Sequence, residues 1–350
     1  MANWIINGVF LNNNVTGIER FAIGMTKHLD SFTKKGELTL VLPPNAKKDT
    51  LVLRNIKIRQ LPQTPFKPLK NLKLAIYMIL HHCNCIDYTN HIPFFGENIV
   101  FLHDIYCKSH PQDFITKDDK KIMKSTCKMY ERICKKAKII CTVSEYSKSQ
   151  IMKYYGVSSE KILVIYDGAD YMPQITADVS ILKQYPQLKQ KNFYFTLGSL
   201  SLRKNLKWIA DHAELYPNEQ FVISGTALKN VVPKELEKLQ TLPNIILAGY
   251  LSDEQIKALY ENCKAFVFPS YFEGFGLPPL EALQCGAQII IAKASCLPEI
   301  YGDCAHYIDP NNPNVDLDAL LSEPVLPPDA LFKKYSLDNS AKKLYDLIKI

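Results

Sequence analysis

Glu273 and Glu281 stand at a spacing suited to ligand binding, with seven residues between them and with Gly274 and Gly276 inside that interval. An apolar, strand-like run precedes the glycines, and we predict a helix that starts at Pro278 and holds Glu281 in its first turn. A helix N-terminus attracts phosphate through its backbone N–H groups and its dipole. Carboxylates beside it can accept hydrogen bonds from vicinal hydroxyls. The segment therefore predicts a site for a ligand with phosphate and sugar hydroxyls, with simple stabilisation of the helix start as the alternative.

Arg203 and Lys204 are adjacent cations in a second segment, which follows Gly198. They come after a predicted strand and before a predicted helix, so they belong to a strand-to-helix turn. Two cations at such a turn can neutralise a diphosphate, the arginine as a fork and the lysine as a point charge. Taken alone, the segment also fits an ordinary lysine-containing loop. Its place about 70 residues before the glutamate pair favours phosphate binding.

Polar residues at two places in the first half are further candidates. His103 and Asp104 end a predicted strand, where parallel sheets hold their ligands, and Asp104 could orient the histidine. A buried histidine with its hydrogen bonds satisfied inside the core is the alternative. Gly17, in the segment Asn14–Arg20, opens the first predicted helix and would allow close backbone approach of a ligand. A simple helix N-cap at Thr16 is the alternative there.

Strands and helices alternate twice along the chain, which predicts parallel sheets with helices on both faces. We predict the α/β class with two Rossmann-like domains whose strand ends face an interdomain cleft. The predicted boundaries are a first domain over 1–170, a linker over 171–191, a second domain over 192–336 and a last helix over 337–350. Examples of the predicted elements are helices over 70–80, 117–136 and 253–262 and strands over 38–42, 220–224 and 265–268.

The composition, 47% apolar and 22% charged residues in a chain of 350, is that of a soluble globular protein of two domains. No apolar run reaches the ~18 residues that a membrane-spanning helix needs. The first residues lack a signal-peptide pattern, and the ten cysteines have no framework spacing. We therefore expect reduced thiols and a cytoplasmic protein.

Positive charge is concentrated in the first half of the chain. Residues 1–170 hold 25 Lys and Arg against 15 Asp and Glu, and the segment Lys117–Lys138 is especially rich in lysine. A basic face attracts anionic lipid, nucleic acid or a polyphosphate-linked substrate. A solvated helix face that only keeps the protein soluble is the alternative.

These motifs together resemble the retaining GT-B glycosyltransferases of the family 4 type, which include bacterial mannosyl-, glucosyl- and rhamnosyltransferases. The resemblance covers nearly the full chain and is most specific over 197–302. It implies that Glu273 contacts the donor sugar, Glu281 the nucleotide ribose, and Arg203 with Lys204 the diphosphate. It also implies that the last helix packs back on the first domain. The implied donor-binding set is Gly198, Arg203, Lys204, Glu273, Gly274, Phe275, Gly276, Leu277 and Glu281.

The resemblance also implies catalytic roles for His103, Arg203, Lys204 and Glu273, with Gly17 and Asp104 on the acceptor side. The implied reaction moves a sugar, of mannose or rhamnose type, from a nucleotide-diphosphate donor with retention of configuration. We favour GDP- or dTDP-linked donors and allow UDP. The implied acceptor is a glycan or a lipid diphosphate in O-antigen, capsule or other surface polysaccharide synthesis. We further expect contact with anionic membrane at the inner face of the plasma membrane, and no nucleic-acid partner.

Other classes remain as alternatives: a sugar-nucleotide epimerase of GT-B build and a non-catalytic nucleotide-sugar-binding subunit. A P-loop ATPase and a dinucleotide oxidoreductase are disfavoured, because neither glycine motif occurs. The run from His81 to Cys85 lacks a second ligand pair at zinc spacing. No Asp-x-Asp follows an apolar strand either. We therefore predict a metal-independent reaction without a cofactor.

Overall fold

The computed structural model describes residues 3–12, 16–46, 51–63, 70–225 and 234–349. It divides into two compact units, the first formed by Met1–Gly168 with Tyr335–Ile350 and the second by Ala169–Lys334. Asn14, part of the predicted glycine segment, lies outside the described residues, whereas Gly17 lies within them.

Seven parallel strands form the sheet of the first unit. They are β1 (Asn3–Asn7), β2 (Leu38–Leu42), β3 (Lys57–Gln60), β4 (Cys83–Asp87), β5 (Asn98–Phe101), β6 (Ile139–Thr142) and β7 (Ile162–Val164). Their order in the sheet is β3-β2-β1-β4-β5-β6-β7. The central strands β1, β4 and β5 are buried over most of their length, as expected for a parallel sheet that is covered on both faces.

The longer helices of the first unit bury apolar residues at helical spacing. Phe21, Met25 and Leu29 of the first helix are fully buried at helical spacing, and their pattern in the sequence predicts this helix. Capping residues define several ends: Ser144 Oγ, for example, accepts a hydrogen bond from Ser147 N at 3.0 Å. The helices are α1 (Gly17–Phe32), α2 (Lys70–Leu80), α3 (Tyr106–Ser109), α4 (Lys117–Lys136), α5 (Glu145–Tyr155) and, after the second unit, α13 (Leu337–Lys349).

Six parallel strands form the sheet of the second unit, in the order β10-β9-β8-β11-β12-β13. They are β8 (Phe193–Leu197), β9 (Gln220–Ser224), β10 (Ile245–Gly249), β11 (Ala265–Phe268), β12 (Gln288–Ala292) and β13 (His306–Ile308). The helices are α6 (Ser180–Gln184), α7 (Leu206–Leu215), α8 (Asp253–Asn262), α9 (Leu277–Gln284), α10 (Leu297–Tyr301), α11 (Leu317–Ser322) and α12 (Asp329–Lys334). The segment Lys234–Gln240 is a 3-10 helix.

Two segments at the unit boundaries differ in their packing from a simple two-domain chain with a linker. Residues 171–191, predicted as a linker, belong to the second unit, where Ile181 of α6 is buried and Lys257 Nζ donates to Ile175 O at 2.7 Å. α13 packs on α1 in the first unit, and a Cβ added at Gly24 would lie 2.6 Å from Leu337 Cδ1. Throughout the described ranges, no helix has the length and apolarity to cross a bilayer.

Candidate functional site

The candidate site of the second unit lies where its strand order reverses. β8 and β11 are neighbours in the centre of the sheet, although two strands, β9 and β10, lie between them in the chain order. A 3-10 turn, Leu202–Lys204, follows β8, and the loop with Glu273 follows β11. Ligands of open α/β sheets bind at the carboxyl ends of strands at such a reversal. The fold therefore brings the two predicted motifs to the position where a ligand is expected.

Glu273 joins the two motifs directly. Its Oε1 accepts a hydrogen bond from Lys204 Nζ at 2.7 Å, and its Oε2 lies 3.4 Å from Arg203 Nη1. Ser270 Oγ donates to Glu273 Oε1 at 2.5 Å and thereby fixes the carboxylate from the loop side. Glu273 and Lys204 are 6% and 9% exposed, so this is a buried ion pair. The arrangement holds both cations beside the carboxylate at the end of β11.

The charge of this cluster follows from the balance of burial and ion pairing. Burial raises the pKa of Glu273, but the nearby Lys204 and Arg203 outweigh burial and hold the pKa below its ordinary value. The carboxylate is therefore ionised at neutral pH. Two cations around one carboxylate leave one net positive charge, which favours an anionic ligand.

The glycine loop turns sharply at Gly276. Gly276 has φ +85°, and a Cβ there would lie 2.6 Å from Leu297 Cδ2, so both conformation and space require glycine. The side chains of Phe275 and Leu277 are buried in the protein, 4% and 9% exposed. These two predicted donor-binding residues can thus meet a ligand through their backbone. A Cβ at Gly198 would lie 3.2 Å from Lys204 Cε, so this glycine makes room for the lysine stem.

The helix start differs from the prediction in two respects. α9 begins at Leu277, one residue early, and Glu281 therefore lies in its second turn instead of the first. The reason is that Gly276 serves as N-cap and the prolines occupy the second and third helical positions. Proline has no N–H, so Pro278 and Pro279 remove two of the donors that the anion-cradle argument counted. The cations of the β8 turn must supply a larger share of any phosphate binding.

Glu281 is held by two tyrosine hydroxyls. Tyr171 OH donates to its Oε1, and Tyr260 OH donates to its Oε2 at 3.1 Å. Glu281 is 6% exposed and Tyr260 is fully buried. The carboxylate is therefore fixed between α8, which carries Tyr260, and the segment before α6.

His103 is buried in the first unit with a backbone partner. Its Nε2 lies 2.8 Å from Tyr88 O, and because a carbonyl only accepts, this nitrogen carries the proton. Burial lowers the pKa of His103, so the ring is neutral at pH 7. The ring also packs edge-on against Phe21, with 5.1 Å between centroids. These contacts are those of the alternative in which the histidine is satisfied inside the core.

Asp104 and Gly17 lie at the strand-end and helix-start positions that the sequence predicts. Asp104 Oδ1 accepts from Tyr106 N at 2.9 Å, so this carboxylate shapes the turn into α3. α1 begins at Gly17, and Thr16 N donates to Glu19 Oε2 at 3.2 Å in a capping box. Among the described residues, no atom lies within 4 Å of a Cβ added at Gly17.

Three residues of the second-unit site have no counterpart in the sequence motifs. Ser270 precedes Glu273 by three residues, a spacing that could have suggested the contact. Tyr260 lies on α8 and Tyr171 in the predicted linker, and no local pattern connects either with Glu281. Among the residues that the structure describes, no three His, Cys, Asp or Glu side chains are grouped to hold a metal ion.

Comparison with known proteins agrees with this architecture. Residues 180–320 match the family Glycosyl transferases group 1. O-antigen chain mannosyltransferase B of Escherichia coli is 30% identical over 253 residues, 67% of this chain and 63% of that protein. O-antigen chain mannosyltransferase RfbU of Salmonella typhimurium is 26% identical over 290 residues, 81% of this chain and 76% of that protein. The chain thus spans less than two thirds of the length of mannosyltransferase B.

Solved structures share the fold at low sequence identity. The crystal structure of HepE of Anabaena in complex with UDP and glucose superposes with a TM-score of 0.66 at 16% identity, covering 99% of this chain and 95% of that one. The predicted fold class, GT-B with two Rossmann-like parallel sheets, is confirmed.

Proposed function

We propose that this chain, which contains a domain of the glycosyl transferases group 1 family, transfers a sugar from a nucleotide-diphosphate donor to an acceptor hydroxyl. The observation that carries the proposal is the cluster at the switch point of the second sheet. There Arg203 and Lys204 meet Glu273 with one net positive charge, and Glu281 lies on α9, the helix that follows the Glu273 loop. A diphosphate would lie at the cations and a ribose at Glu281.

The proposed chemistry needs no protein nucleophile. The bond between sugar C1 and the donor phosphate oxygen breaks, and the acceptor oxygen bonds to C1 on the same face, which retains configuration. The acceptor proton moves to the departing diphosphate oxygen. Arg203 and Lys204 would stabilise the negative charge that develops on that leaving group, in a site where burial strengthens electrostatics. Glu273 would position the sugar and also pair with the two cations.

The finer identity of the substrates is also part of the proposal. Curated relatives named as O-antigen mannosyltransferases support a mannose-type sugar, of which rhamnose is a close variant. We favour a GDP-linked donor, with dTDP- and UDP-linked donors as alternatives. The acceptor would be a glycan or lipid diphosphate of surface polysaccharide synthesis. The contact of His103 with the donor sugar and the acceptor role of Gly17 and Asp104 stay predictions.

The test is donor turnover with a panel of GDP-mannose, dTDP-rhamnose and UDP-glucose, with a lipid-diphosphate glycan as acceptor. We expect one donor to release its nucleoside diphosphate and proton NMR to show an unchanged anomeric configuration in the product. Lys204→Ala should lower kcat, since the leaving group loses its cation. Glu281→Ala should mainly weaken donor binding, whereas the exposed Glu323→Ala serves as a matched control.

Three outcomes would contradict the proposal. An isomer of the donor, formed without any acceptor, would indicate the epimerase. Tight nucleotide-sugar binding without turnover would indicate the non-catalytic subunit. Inversion at C1 would exclude the retaining mechanism while leaving glycosyl transfer in place.

A membrane contact through α4 extends the proposal to the lipid-linked acceptor. The lysines of this helix are exposed together on its solvent face, at Lys117, Lys120, Lys121, Lys124, Lys128, Lys135 and Lys136. Each lysine near an anionic surface contributes about 1 kcal/mol. Replacing Lys120 and Lys121 with Gln should weaken binding to phosphatidylglycerol vesicles by about 2 kcal/mol at low salt.

Sedimentation with vesicles measures this contact. The pair Lys183→Gln and Lys189→Gln, exposed in the second unit, removes the same charge elsewhere and should have little effect. Binding to neutral phosphatidylcholine vesicles that equals binding to anionic ones, or that is insensitive to salt, would refute an electrostatic contact.

A further inference from the structure

Two tyrosines from separate segments meet the carboxylate of Glu281. Tyr171 OH contacts Oε1, and Tyr260 OH lies 3.1 Å from Oε2. The three residues are far apart in sequence: Tyr171 lies 110 residues before Glu281, and Tyr260 lies 21 residues before Glu281. Only the folded second unit brings them together, and each carboxylate oxygen receives one tyrosine hydroxyl.

The environment of Tyr260 makes it a permanent donor. Its ring is fully buried and packs edge-on against Phe195 and Phe266, with 5.2 Å between centroids in each case. Burial raises the pKa of its hydroxyl well above the ordinary value, and the charge of Glu281 raises it further. The hydroxyl therefore keeps its proton and donates a hydrogen bond to Oε2.

From this geometry we infer that Tyr260 and Tyr171 are positioning residues that orient Glu281 toward the ribose hydroxyls of the nucleotide. The inference rests on the proposed nucleotide-sugar site. One tyrosine hydroxyl on each oxygen fixes the plane of the carboxylate. A carboxylate held in one plane can align with the two vicinal hydroxyls of a ribose better than one that rotates.

Removal of a tyrosine hydroxyl should weaken the binding of nucleotides with ribose hydroxyls and not that of nucleotides without them. Without a tyrosine hydroxyl, Glu281 loses one fixed donor and can rotate, and its alignment with a ribose diol is lost. A hydrogen bond to a charged group corresponds to roughly a tenfold to hundredfold change in affinity. A nucleotide without ribose hydroxyls gains nothing from that alignment, so its affinity should not depend on the tyrosines.

The experiment is a calorimetric titration of the full chain with GDP and with 2′,3′-dideoxy-GDP, with UDP and dTDP as further probes. We expect wild type to bind the matching ribonucleotide at least tenfold more tightly than its dideoxy form. Tyr260→Phe and Tyr171→Phe should each reduce that ratio about tenfold, by weakening the ribonucleotide alone. dTDP, which has one ribose hydroxyl fewer, should respond to the substitutions less than GDP or UDP.

The matched control is Tyr194→Phe, which removes another tyrosine hydroxyl of the second unit, bonded to Asp318 Oδ1 at 2.9 Å. This variant should leave both affinities unchanged. Tyr171, only partly buried, gives a second variant in case Tyr260→Phe disturbs the core.

The possible results separate the inference from the function beneath it. Equal weakening of ribo- and dideoxy-nucleotides, or no change in either, would overturn the positioning role while nucleotide binding stands. A wild type, folded by its tryptophan fluorescence, that binds none of the four diphosphates would overturn the proposed function and the inference with it.

Discussion

The strand ends of the two sheets carry polar residues of similar kinds, yet these residues find different partners. In the first unit His103 donates to Tyr88 O and Asp104 accepts from Tyr106 N, both backbone groups at most 15 residues away. In the second unit Glu273 meets Lys204 across 69 residues, through side chains alone.

This contrast distinguishes residues that stabilise the local backbone from residues that could bind a ligand. A side chain bonded to nearby backbone stabilises a turn or a core. A buried cluster of two cations and one carboxylate is costly to desolvate, so its contribution to the stability of the fold is small compared with that of apolar residues in the same place. Such clusters are typical of binding and catalytic sites. The second unit is therefore where we place donor chemistry.

Breaking the buried pair should produce the largest effect. Lys204→Met leaves Glu273 buried without its closest cation, which should cost about 3–5 kcal/mol of unfolding free energy in the second unit. The chain has two tryptophans, Trp4 in β1 and Trp208 in α7, both buried, so each unit has its own fluorescent reporter. Urea unfolding, followed by tryptophan fluorescence in Trp4→Phe and Trp208→Phe backgrounds, should show the loss of stability in the unit that Trp208 reports on.

The double variant Lys204→Met with Glu273→Leu is the control for this effect. Because it removes both charges, it should recover most of the lost stability while nucleotide binding remains impaired. Equal losses in the single and the double variant would show that the pair matters for packing and not for charge.

Removing the histidine should have an intermediate effect in the other unit. His103→Ala leaves Tyr88 O buried without its donor, which costs about 1–3 kcal/mol. The Trp4 reporter should show the loss, and His103→Gln, which keeps an N–H donor, should restore part of it. If the alanine variant abolished turnover at unchanged stability, His103 would instead have the catalytic role that the sequence predicts.

The dependence of stability on pH should differ between the unit that holds His103 and the unit that holds Glu273. The pKa of His103 is lowered from 6.5, so the unfolded state binds its proton first and the first unit loses stability as pH falls below that value. The pKa of Glu273 is lowered from 4.5, so its contribution is complete above 4.5 and is lost as pH falls through the folded value. His306 of the second unit also has a lowered pKa.

Because His306 adds its own slope, the difference between each variant and wild type is the quantity to measure. In His103→Gln, the stability reported by Trp4 should depend less on pH below 6.5. In Lys204→Met, the stability reported by Trp208 should no longer fall as the pH drops below 4.5. A slope of one proton is about 1.4 kcal/mol per pH unit at most. Identical curves for variant and wild type would contradict these assignments.

The smallest effect is expected at the turn into α3. Asp104→Ala removes the acceptor of Tyr106 N and should lower stability of the first unit by about 1 kcal/mol, seen by Trp4. Asp104→Asn keeps an acceptor oxygen and should be nearly neutral. A large loss of turnover in Asp104→Asn would mean that its charge serves the acceptor.

Most of the fold could be predicted from the sequence because periodicity is a local signal. The predicted bounds of α2, α4, α8, β2, β9 and β11 agree with the structure. β13 was not predicted because its three residues, His306–Ile308, are too few to show a period. The short α6 was predicted as linker because residues 171–191 are mixed and polar and contain Pro173 and Pro186, and tertiary packing on α8 decides its place.

The site was predictable only as far as its motifs are local. Arg203, Lys204 and Glu273 could be identified from their places at strand ends, which parallel-sheet topology then brought together. The turn of Glu281 was wrong by one because a glycine N-cap moved the helix start. The tyrosines could not be found, since a hydroxyl contact across 110 residues leaves no trace in spacing.

The helix α13 makes the first unit discontinuous, since its last element follows the complete second unit in the chain. During synthesis on the ribosome, the strands and helices up to Gly168 emerge early but lack the helix that covers α1. The face of α1 at Gly24 is covered only after Leu337 and the residues that follow it have left the exit tunnel. A chain that ends at Lys334 should therefore contain a complete second unit and a first unit without the helix that covers α1.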